Sequence, residues 1–307
     1  MKKIENGLRL FRENKRRLGM LFIVKFCNWL PDKPYLSLVY RCIFGKKLNW
    51  RNPLSYNEKI NWLKVYDHNP LYTQLVDKYA VKNYVAEKIG SEYIIPTLAV
   101  WDMPEQIDWD SLPNQFVLKT THGGGGDGVV ICRDKSSFDK AKAIAKLNNA
   151  MKTSPYKRLR EWPYKHVKHR ILAEQYMEDA STKELRDYKF FAFDGEVKAL
   201  FIATDRQNGG VKFDYFDADF NHLDLVQEHP MSGKQIRKPV AFEEMKRLAG
   251  LLSKGLKQVR CDFYEVNGKV YFGELTFSHH GGITPFHPES WDYTFGKWID
   301  LSVMNIE

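Results

Sequence analysis

The stretch that decides the fold reads Phe116-Val-Leu-Lys119-Thr-Thr-His122-Gly-Gly-Gly-Gly126-Asp-Gly128-Val-Val-Ile131. Its apolar ends predict two strands, and the glycines from Gly123 to Gly126 predict a loop between them. Glycine lets backbone N–H groups approach a phosphate closely and tolerates positive φ values, and Lys119 adds a cation at the edge. The stretch therefore predicts a flap over phosphates. A plain hairpin connection or a flexible linker stays open on this evidence alone.

Two common nucleotide motifs are excluded by what surrounds the glycines. No Gly-Lys-Ser/Thr follows to open a helix, so the stretch is not a P-loop. An apolar strand-like run, not a helix, follows the glycines, so the stretch is not a dinucleotide fingerprint either. What remains is a glycine loop with a strand on each side.

The bulk composition is that of a soluble globular protein. With 307 residues, 43% hydrophobic and 28% charged, the chain can form two domains or one large composite fold. The four cysteines lack metal-ligand or redox spacing, which predicts reduced thiols in a cytoplasmic protein. They are Cys27, Cys42, Cys132 and Cys261.

The positive charge lies entirely in the N-terminal region. Residues 1–50 hold twelve Lys and Arg against three acidic residues, which accounts for the whole net charge of +9. The apolar run around Lys25 is too short and too interrupted to span a bilayer, and it lacks the small-residue cleavage site of a signal peptide. The region predicts a basic, aromatic-rich surface for anionic lipid, a lipid-linked acidic glycan or an acidic polymer, or else an ordinary helix packed on the main domain. The rest of the chain is neutral and carries no nucleic-acid motif, which argues against a nucleic-acid partner.

Local signals outline the other elements. Ser55 with Glu58 three residues later predicts a capping box at the start of a helix. Asp194-Gly195 and Asn267-Gly268 are turn pairs that predict hairpins. Periodicity predicts helices over residues 72–88, 138–151 and 242–259 and a strand over residues 171–177.

Two carboxylates near the C-terminus flank the second hairpin. A three-residue loop, Asn267 to Lys269, would place Asp262 directly across from Glu274, whereas a two-residue turn in plain register would put them on opposite faces. The strands are apolar, so ionised carboxylates there need partners. Hard oxygen ligands near phosphates suit Mg²⁺. We therefore predict the three-residue loop and a shared metal site.

The order of these motifs resembles the ATP-grasp superfamily, and above all the TupA-like ATP-grasp group of polysaccharide and teichuronopeptide biosynthesis. The likeness covers roughly residues 50–300 and rests on several ordered motifs. It implies an α+β fold in which two α+β subdomains clasp ATP. The implied division is a basic helical region over residues 1–75, an N-terminal subdomain over residues 76–172 and a C-terminal subdomain over residues 173–307.

The resemblance also implies residue roles. Lys78, Lys119 and the loop Gly123, Gly124, Gly125, Gly126 would bind phosphates, and Glu174, Gln175, Tyr176 and Met177 would bind adenine. Asp187 would bind the ribose, Lys189 a phosphate or acceptor, and Arg206 and Lys212 the γ-phosphate. Arg260 would stabilise the phosphorylated intermediate, and Asp262, Glu274 and Thr276 would hold magnesium.

Two features of this chain qualify the likeness. Thr276 stands where the family often has Asn, so a hydroxyl would complete the metal shell more weakly. His279 and His280 are adjacent and point different ways on an extended chain, so we expect at most one of them to enter the site.

The activity that the resemblance implies is an ATP- and Mg²⁺-dependent joining of a carboxylate to an amine through an acylphosphate. The implied substrates are a uronic-acid-containing glycan and an amino acid or peptide. We expect a cytoplasmic protein whose residues 1–50 contact the inner membrane surface or a lipid-linked glycan.

Three rival functions stay open at this stage. Asp217-Ala218-Asp219 is the kind of triplet that binds a metal and a sugar nucleotide in glycosyltransferases. An ATP-grasp kinase would phosphorylate its acceptor and stop. A non-catalytic scaffold would keep the fold alone, which the presence of Lys119, Asp262 and Glu274 argues against.

Overall fold

Two antiparallel sheets with helices around them form the frame of the protein. The computed structural model describes residue 16 and residues 18–124, 126–180, 185–205 and 210–302. Residues 18–26 are helical. The helices that follow are α1 (Asp32–Phe44), α2 (Tyr56–Tyr66), α3 (Leu71–Val76), α4 (Val81–Ile89), α5 (Lys140–Met151), α6 (Pro155–Leu159), α7 (Phe242–Ser253) and α8 (Ser290–Trp298). The strands are β1 (Thr97–Trp101), β2 (Phe116–Thr120), β3 (Val129–Cys132), β4 (Ile171–Gln175), β5 (Asp187–Phe193), β6 (Glu196–Thr204), β7 (Lys212–Asp217), β8 (Val259–Val266) and β9 (Lys269–Thr276).

The four-stranded sheet has the order β1-β4-β2-β3 and carries the glycine loop. The strand–loop–strand prediction is confirmed, since β2 and β3 pair antiparallel with Lys119 opposite Val129. Helix α5 supplies Leu147 to a core with Phe116 and Leu118. Helix α5 therefore packs on one side of the sheet, and the glycine loop extends from the ends of β2 and β3.

The five-stranded sheet has the order β7-β6-β5-β8-β9, and its two faces are covered differently. Alternation along β5 sends Phe190 to a core with α7, and Phe191 to a core with Tyr56 of α2 and Phe295 of α8. Lys189 lies on the same side as Phe191, where α2 and α8 cover only part of the face. The rest of this face holds the charged side chains described below.

Both predicted hairpins have two-residue turns. Asp194 and Gly195 join β5 to β6 with φ of 45° and 91°, and Asn267 and Gly268 join β8 to β9 with φ of 52° and 76°. Positive φ at both positions is the geometry that matches the twist of the flanking strands. The three-residue loop predicted for the second hairpin is therefore wrong, because Val266 pairs directly with Lys269.

A β-bulge restores the predicted alignment of the carboxylates. Phe263 pairs with Phe272, and the next pair is Asp262 with Glu274, so Gly273 is the extra residue. A Cβ at Gly273 would lie 3.1 Å from the carbonyl oxygen of Asp262 and 3.1 Å from the ring of Tyr264. The close approach explains why glycine occupies the bulge.

Helix boundaries follow side-chain caps. The capping box of Ser55 and Glu58 is confirmed at the start of α2. The single helix predicted over residues 72–88 is interrupted, because the Asp77 carboxylate accepts hydrogen bonds from the N–H groups of Tyr79 and Ala80. Asp77 and Lys78 therefore lie in the bend between α3 and α4.

The N-terminal helical residues pack on α1 through one side. Met20 is buried with Tyr35, Leu36 and Val39, and Ile23, Val24, Cys27 and Leu30 are partly buried against them. Among the described residues, no helix is long and apolar enough to cross a membrane.

Candidate nucleotide and metal site

The face of the five-stranded sheet that carries Lys189 and Phe191 places Arg260 among three oxygen-bearing side chains. Arg260 Nε and Nη2 each lie 2.7 Å from the Asp262 carboxylate, and Nη2 lies 3.0 Å from Thr276 Oγ1 and 3.4 Å from Glu274 Oε1. Arg260 and Asp262 share a face because they are two residues apart on β8. Glu274 and Thr276 join them because the bulge at Gly273 resets the register of β9.

Two lysines complete this group. Lys189 Nζ hydrogen-bonds Asp262 and lies 3.2 Å from Asp187 Oδ1. Lys78 Nζ, which comes from the bend before α4, lies 2.7 Å from Glu274 Oε2. We call Arg260, Asp262, Glu274, Lys189 and Lys78 the charged cluster.

The charged cluster holds the Glu274 carboxylate ionised. Burial acts to raise the pKa of Glu274, but Lys78, Lys189 and Arg260 outweigh it, and the pKa is lowered well below its usual value. Burial acts to lower the pKa of Arg260, and the Asp262 carboxylate outweighs it, so that pKa is raised. Both ions are thus stable only because each has an opposite charge beside it.

The donor set fits a magnesium nucleotide. Within the described ranges no group of three or more His, Cys, Asp and Glu side chains forms a metal site. Magnesium usually keeps several waters and binds through one or two carboxylates plus phosphate oxygens. Asp262 and Glu274 supply two carboxylates on one face, with the Thr276 hydroxyl beside them. Lys78 and Lys189 are cations that can turn to phosphates when a metal takes their carboxylate partners.

A second ion-pair group lies on the four-stranded sheet. Glu174 on β4 accepts from Lys119 at 2.7 Å and from Lys82 at 2.6 Å. Burial acts to lower the pKa of Lys119, and Glu174 outweighs it, so the pKa is raised. Glu274 and Asp187 raise it further, so the two groups of charges lie close enough to interact.

Lys82 was missed in the sequence. It lies four residues after Lys78, near the start of α4, and also donates to the Ile95 carbonyl oxygen and to Thr97 Oγ1. The spacing of one helical turn after the Asp77-Lys78 pair is the signal that could have found it.

The segment predicted to bind adenine follows β4 directly. Glu174 is buried with its carboxylate paired to lysines, whereas Gln175 is exposed at the strand end. Tyr176 OH donates to Glu178 Oε2 at 2.7 Å and accepts from Arg133 Nε at 3.1 Å. Met177 is partly buried beside it. The segment therefore lies at the C-terminal end of β4, an inner strand of the four-stranded sheet, next to the Glu174–Lys119 pair.

The glycine loop has free space around it. Nothing lies within 4 Å of a Cβ built at Gly124 or Gly126, and Gly126 has φ of 86°. Gly125 lies outside the described residues. Gly123 is the fixed end, since its carbonyl oxygen accepts from Lys78 Nζ at 2.6 Å.

The outcome differs for three other residues predicted to lie in the site. Asp187 is buried beside Lys189 and so adjoins the charged cluster. Lys212 lies, by alternation along β7, on the side of Phe216 and not on the side of Phe213 and Tyr215, so the structure does not bring it to the cluster. Arg206 lies outside the described residues.

The prediction that the two histidines point different ways is wrong, because the backbone is left-handed at His280 and not extended, and the two ring centroids lie 4.0 Å apart. His279 is buried, accepts from Arg260 Nη1 at 2.8 Å and contacts Gln227 Oε1 at 2.9 Å, and burial lowers its pKa well below the usual value. His280 has φ of 46° and begins a left-handed turn with Gly281 and Gly282. Burial lowers the pKa of His280 to about 3. His279 thus fixes Arg260, and the ring of His280 packs against the ring of His279.

The turn is held from α2 by residues that the sequence did not single out. Lys64 Nζ donates to the Gly281 carbonyl oxygen, and Asn61 Nδ2 donates to the Gly282 carbonyl oxygen at 2.7 Å. Burial lowers the pKa of Lys64 to about 8 and raises the pKa of nearby Glu161 to about 7. Only the folded chain brings these residues to the turn, so spacing along the sequence gave no signal for them.

Comparisons with known proteins agree with the sequence motifs. The model of a family described as TupA-like ATPgrasp matches residues 58–300. No curated protein matches the chain.

Among solved structures, the chain is similar to D-alanine–D-alanine ligase from Bacillus anthracis, with 18% identity and a TM-score of 0.40 over 66% of this chain and 57% of that one. It is similar to the ATP-grasp ligase PsnB complexed with a minimal precursor, with 12% identity and a TM-score of 0.39 over 69% and 55%. The D-alanine–D-alanine ligase from Helicobacter pylori matches with 13% identity and a TM-score of 0.41 over 75% and 60%. The chain thus spans less than two thirds of each of these structures.

Proposed function

Because the chain belongs to the TupA-like ATP-grasp family, we propose that it is an ATP-dependent ligase that joins a carboxylate to an amine. The observation that carries the proposal is the charged cluster, which holds two carboxylates and three cations on one sheet face. The carboxylate substrate would attack the γ-phosphate to give an acylphosphate, and the amine would then displace phosphate. ADP and phosphate are the expected co-products.

Chemistry of this kind depends on positioning and charge neutralisation more than on a protein nucleophile. Arg260 is fixed on two sides, by the Asp262 carboxylate and by His279, so its guanidinium is oriented before substrate arrives. A preoriented cation stabilises charge that develops on the transferring phosphoryl group. In this proposal, Arg260 faces that group.

A bound magnesium ion would supply positive charge that neutralises the phosphates. Asp262, Glu274 and the Thr276 hydroxyl would hold it. Lys78 and Lys189 now occupy these carboxylates. We propose that both lysines change partners and bind phosphate oxygens, so the site keeps its charge balance when it loads.

The nucleotide would lie between the two sheets. Lys119 and Lys82 would bind phosphates from the four-stranded sheet, and residues 174–177 would hold the adenine. Asp187 would bind the ribose, and the glycine loop would close over the β- and γ-phosphates with its backbone N–H groups. Arg206 stays a candidate for the γ-phosphate.

For the substrates we propose a uronic-acid-containing glycan or its precursor and an amino acid or peptide. The likeness to the TupA-like group supports this pair, and so does the positive charge of residues 1–50, which suits an acidic glycan or a lipid-linked one. ATP is available in the cytoplasm, and we place the protein there.

The glycosyltransferase alternative loses its main support in the structure. Asp217 Oδ1 accepts hydrogen bonds from the N–H groups of Asp219 and Asn221, at 2.9 and 2.8 Å, and Oδ2 accepts from Asn221 Nδ2 at 2.9 Å. The carboxylate of Asp217 therefore builds a turn, which is an ordinary role for Asp in this position.

The test is a coupled assay of ADP and phosphate release. Purified protein is given Mg²⁺–ATP, oligogalacturonate or glucuronate and a panel of amino acids, and product is identified by mass spectrometry. Phosphate release that requires both a carboxylate and an amine supports the ligase. A stable phosphorylated product without amine indicates a kinase, and no ADP in any combination contradicts the proposal.

A further inference from the structure

The outer side of the N-terminal helical residues carries large apolar side chains in water. Leu18, Leu21, Phe22 and Phe26 are each more than half exposed, and Trp29, just beyond the helix, is 79% exposed. The spacing of 18, 21, 22 and 26 puts these side chains on one side of a helix. We call Leu18, Leu21, Phe22, Phe26 and Trp29 the outer face.

The inner side of the same segment is already packed against the rest of the protein. Met20, Ile23, Val24 and Cys27 pack against α1. The segment is therefore docked on the protein, and a normal core does not need the outer face. Isolated exposed apolar residues are common, but a contiguous group on one helix face marks an interaction surface.

Charge limits which partner can cover the outer face. Residues 1–50 carry the entire net charge of the protein, +9. Lys25 is exposed on the outer face, with its Nζ 5.2 Å from the centroid of the Phe26 ring. The acidic residue nearest in sequence, Asp32, is paired with Arg160 at 3.1 Å. A partner must therefore be anionic and also accept apolar side chains.

We propose that the outer face binds the surface of a bilayer that contains anionic lipids. Phe22, Phe26 and Trp29 enter the boundary between headgroups and acyl chains, where aromatic residues are favoured, and Lys25 contacts lipid phosphates. A soluble acidic polymer would match the charge but would not cover the apolar rings. This inference does not depend on the ligase proposal, because the outer face lies outside the nucleotide and metal site.

The inference suggests a role in locating the enzyme. Binding through one helix side is reversible, and affinity combines apolar burial with attraction to negative lipids. Such contact would hold the cleft near substrates carried on the membrane surface. The acidic polymer and a second copy of the chain are the competing occupants of the outer face.

The experiment is flotation of the full-length protein with vesicles of phosphatidylcholine alone or mixed with phosphatidylglycerol. We expect binding to the mixed vesicles that weakens as salt rises and little binding to phosphatidylcholine. Replacing Phe22, Phe26 and Trp29 together by Ser should weaken binding by about tenfold or more. Lys25→Glu should weaken it less and reduce its salt dependence.

A matched variant separates this face from general surface hydrophobicity. Met103, Val240 and Leu251 are also exposed but lie elsewhere in the chain, and replacing all three by Ser should leave vesicle binding unchanged. Circular dichroism and the urea midpoint confirm that both triple variants are folded. Phosphate release in solution, without vesicles, should be the same for both triple variants and the wild type.

Three results would overturn the inference. The first is no flotation with either vesicle, or equal flotation of the wild type and the Phe22/Phe26/Trp29 variant. The second is a wild-type dimer that becomes a monomer in that variant, which would assign the outer face to a second copy. The third is binding to polygalacturonate that outcompetes vesicles and depends on Lys25 but not on the aromatic rings.

Discussion

The tip of the β2–β3 hairpin and the bulge of the β8–β9 hairpin use glycine for opposite purposes. Gly124 in the first hairpin has nothing within 4 Å of a Cβ position, whereas Gly273 in the second has backbone and a ring at 3.1 Å. The first hairpin ends in a loop with room to move, and the second is closed by a tight turn and fixed by a bulge. Glycine supplies open space in one hairpin and close packing beneath Asp262 and Glu274 in the other.

Lys78 connects the two hairpins. Its Nζ bonds the Gly123 carbonyl oxygen at 2.6 Å and Glu274 Oε2 at 2.7 Å. A metal that takes Glu274 would therefore release one partner of the lysine that holds the glycine loop. We call the β2–β3 hairpin the movable hairpin and the β8–β9 hairpin the rigid hairpin. Because they share the charge of Lys78, loading of the site and closure of the glycine loop are expected to be coupled.

The largest effect is expected from Glu274→Gln in the rigid hairpin. The amide cannot replace the carboxylate as a magnesium ligand, so we expect ADP formation to fall by about a thousandfold. Steady-state assay over a range of Mg²⁺ measures the loss. Glu265→Gln, on β8 beyond the bulge, is the control and should keep near-normal activity. Activity within tenfold of wild type in Glu274→Gln would remove the metal role from this hairpin.

Lys78→Met tests the link between the hairpins. It removes a phosphate-binding cation and leaves the Gly123 carbonyl oxygen without this donor, so we expect ADP formation to fall by about a hundredfold. Hydrogen exchange of the peptide that covers the glycine loop should become faster in the absence of nucleotide. Lys82→Met is the matched control, one helical turn along, and should not change exchange in the loop. Equal exchange in Lys78→Met and wild type would mean that the hairpins are independent.

The contrast between the glycines is tested by Gly273→Ala and Gly124→Ala. The new methyl at Gly273 meets the Asp262 carbonyl oxygen and the Tyr264 ring, so we expect a loss of about 1–3 kcal/mol in the free energy of unfolding. The methyl at Gly124 meets open space, so the change there should stay within about 0.5 kcal/mol. Urea unfolding measures both. Similar losses at the two positions would contradict the division between a movable and a rigid hairpin.

Local signals predicted the strands, turns and caps, because each depends on neighbours in sequence. Asn267-Gly268 predicted a hairpin, and Ser55 with Glu58 predicted a helix start. The shared face of Asp262 and Glu274 was also predicted, but the loop assumed for it was wrong. The bulge at Gly273 depends on the close approach of β9 to the Asp262 carbonyl oxygen and the Tyr264 ring on β8. No local sequence pattern reveals this contact.

For the same reason, the sequence predicts the position of some cations of the site but not the groups with which the other cations pair. Lys119 adjoins the glycines, so its position was readable, whereas the pairing of Lys78 with Glu274 spans 196 positions in the chain. Lys64 reaches the His280–Gly282 turn from α2 across a similar separation. Such contacts depend on how helices dock on the sheets, and motif order alone does not specify which charge meets which.

The smallest expected effect concerns the base of the movable hairpin. His122, the residue before the glycine loop, is buried and stacks on His169 with ring centroids 3.4 Å apart. Burial lowers its pKa to about 4, with further lowering from His169 and Lys78. The folded protein thus keeps His122 neutral at a pH where the unfolded chain protonates it, so stability is full above the unfolded pKa of about 6.5 and is lost as pH falls towards 4.

Between pH 7 and pH 6 this one group should reduce the free energy of unfolding by about 0.7 kcal/mol. His279 and His280 in the rigid region also have lowered pKa values, so the wild type alone cannot isolate the effect. His122→Gln isolates it, because the variant should lose about 0.7 kcal/mol less than wild type over this interval in urea unfolding. An identical pH dependence in the two proteins would mean that His122 is already accessible to protons in the folded state. In that case the movable part of the hairpin would begin before the glycines.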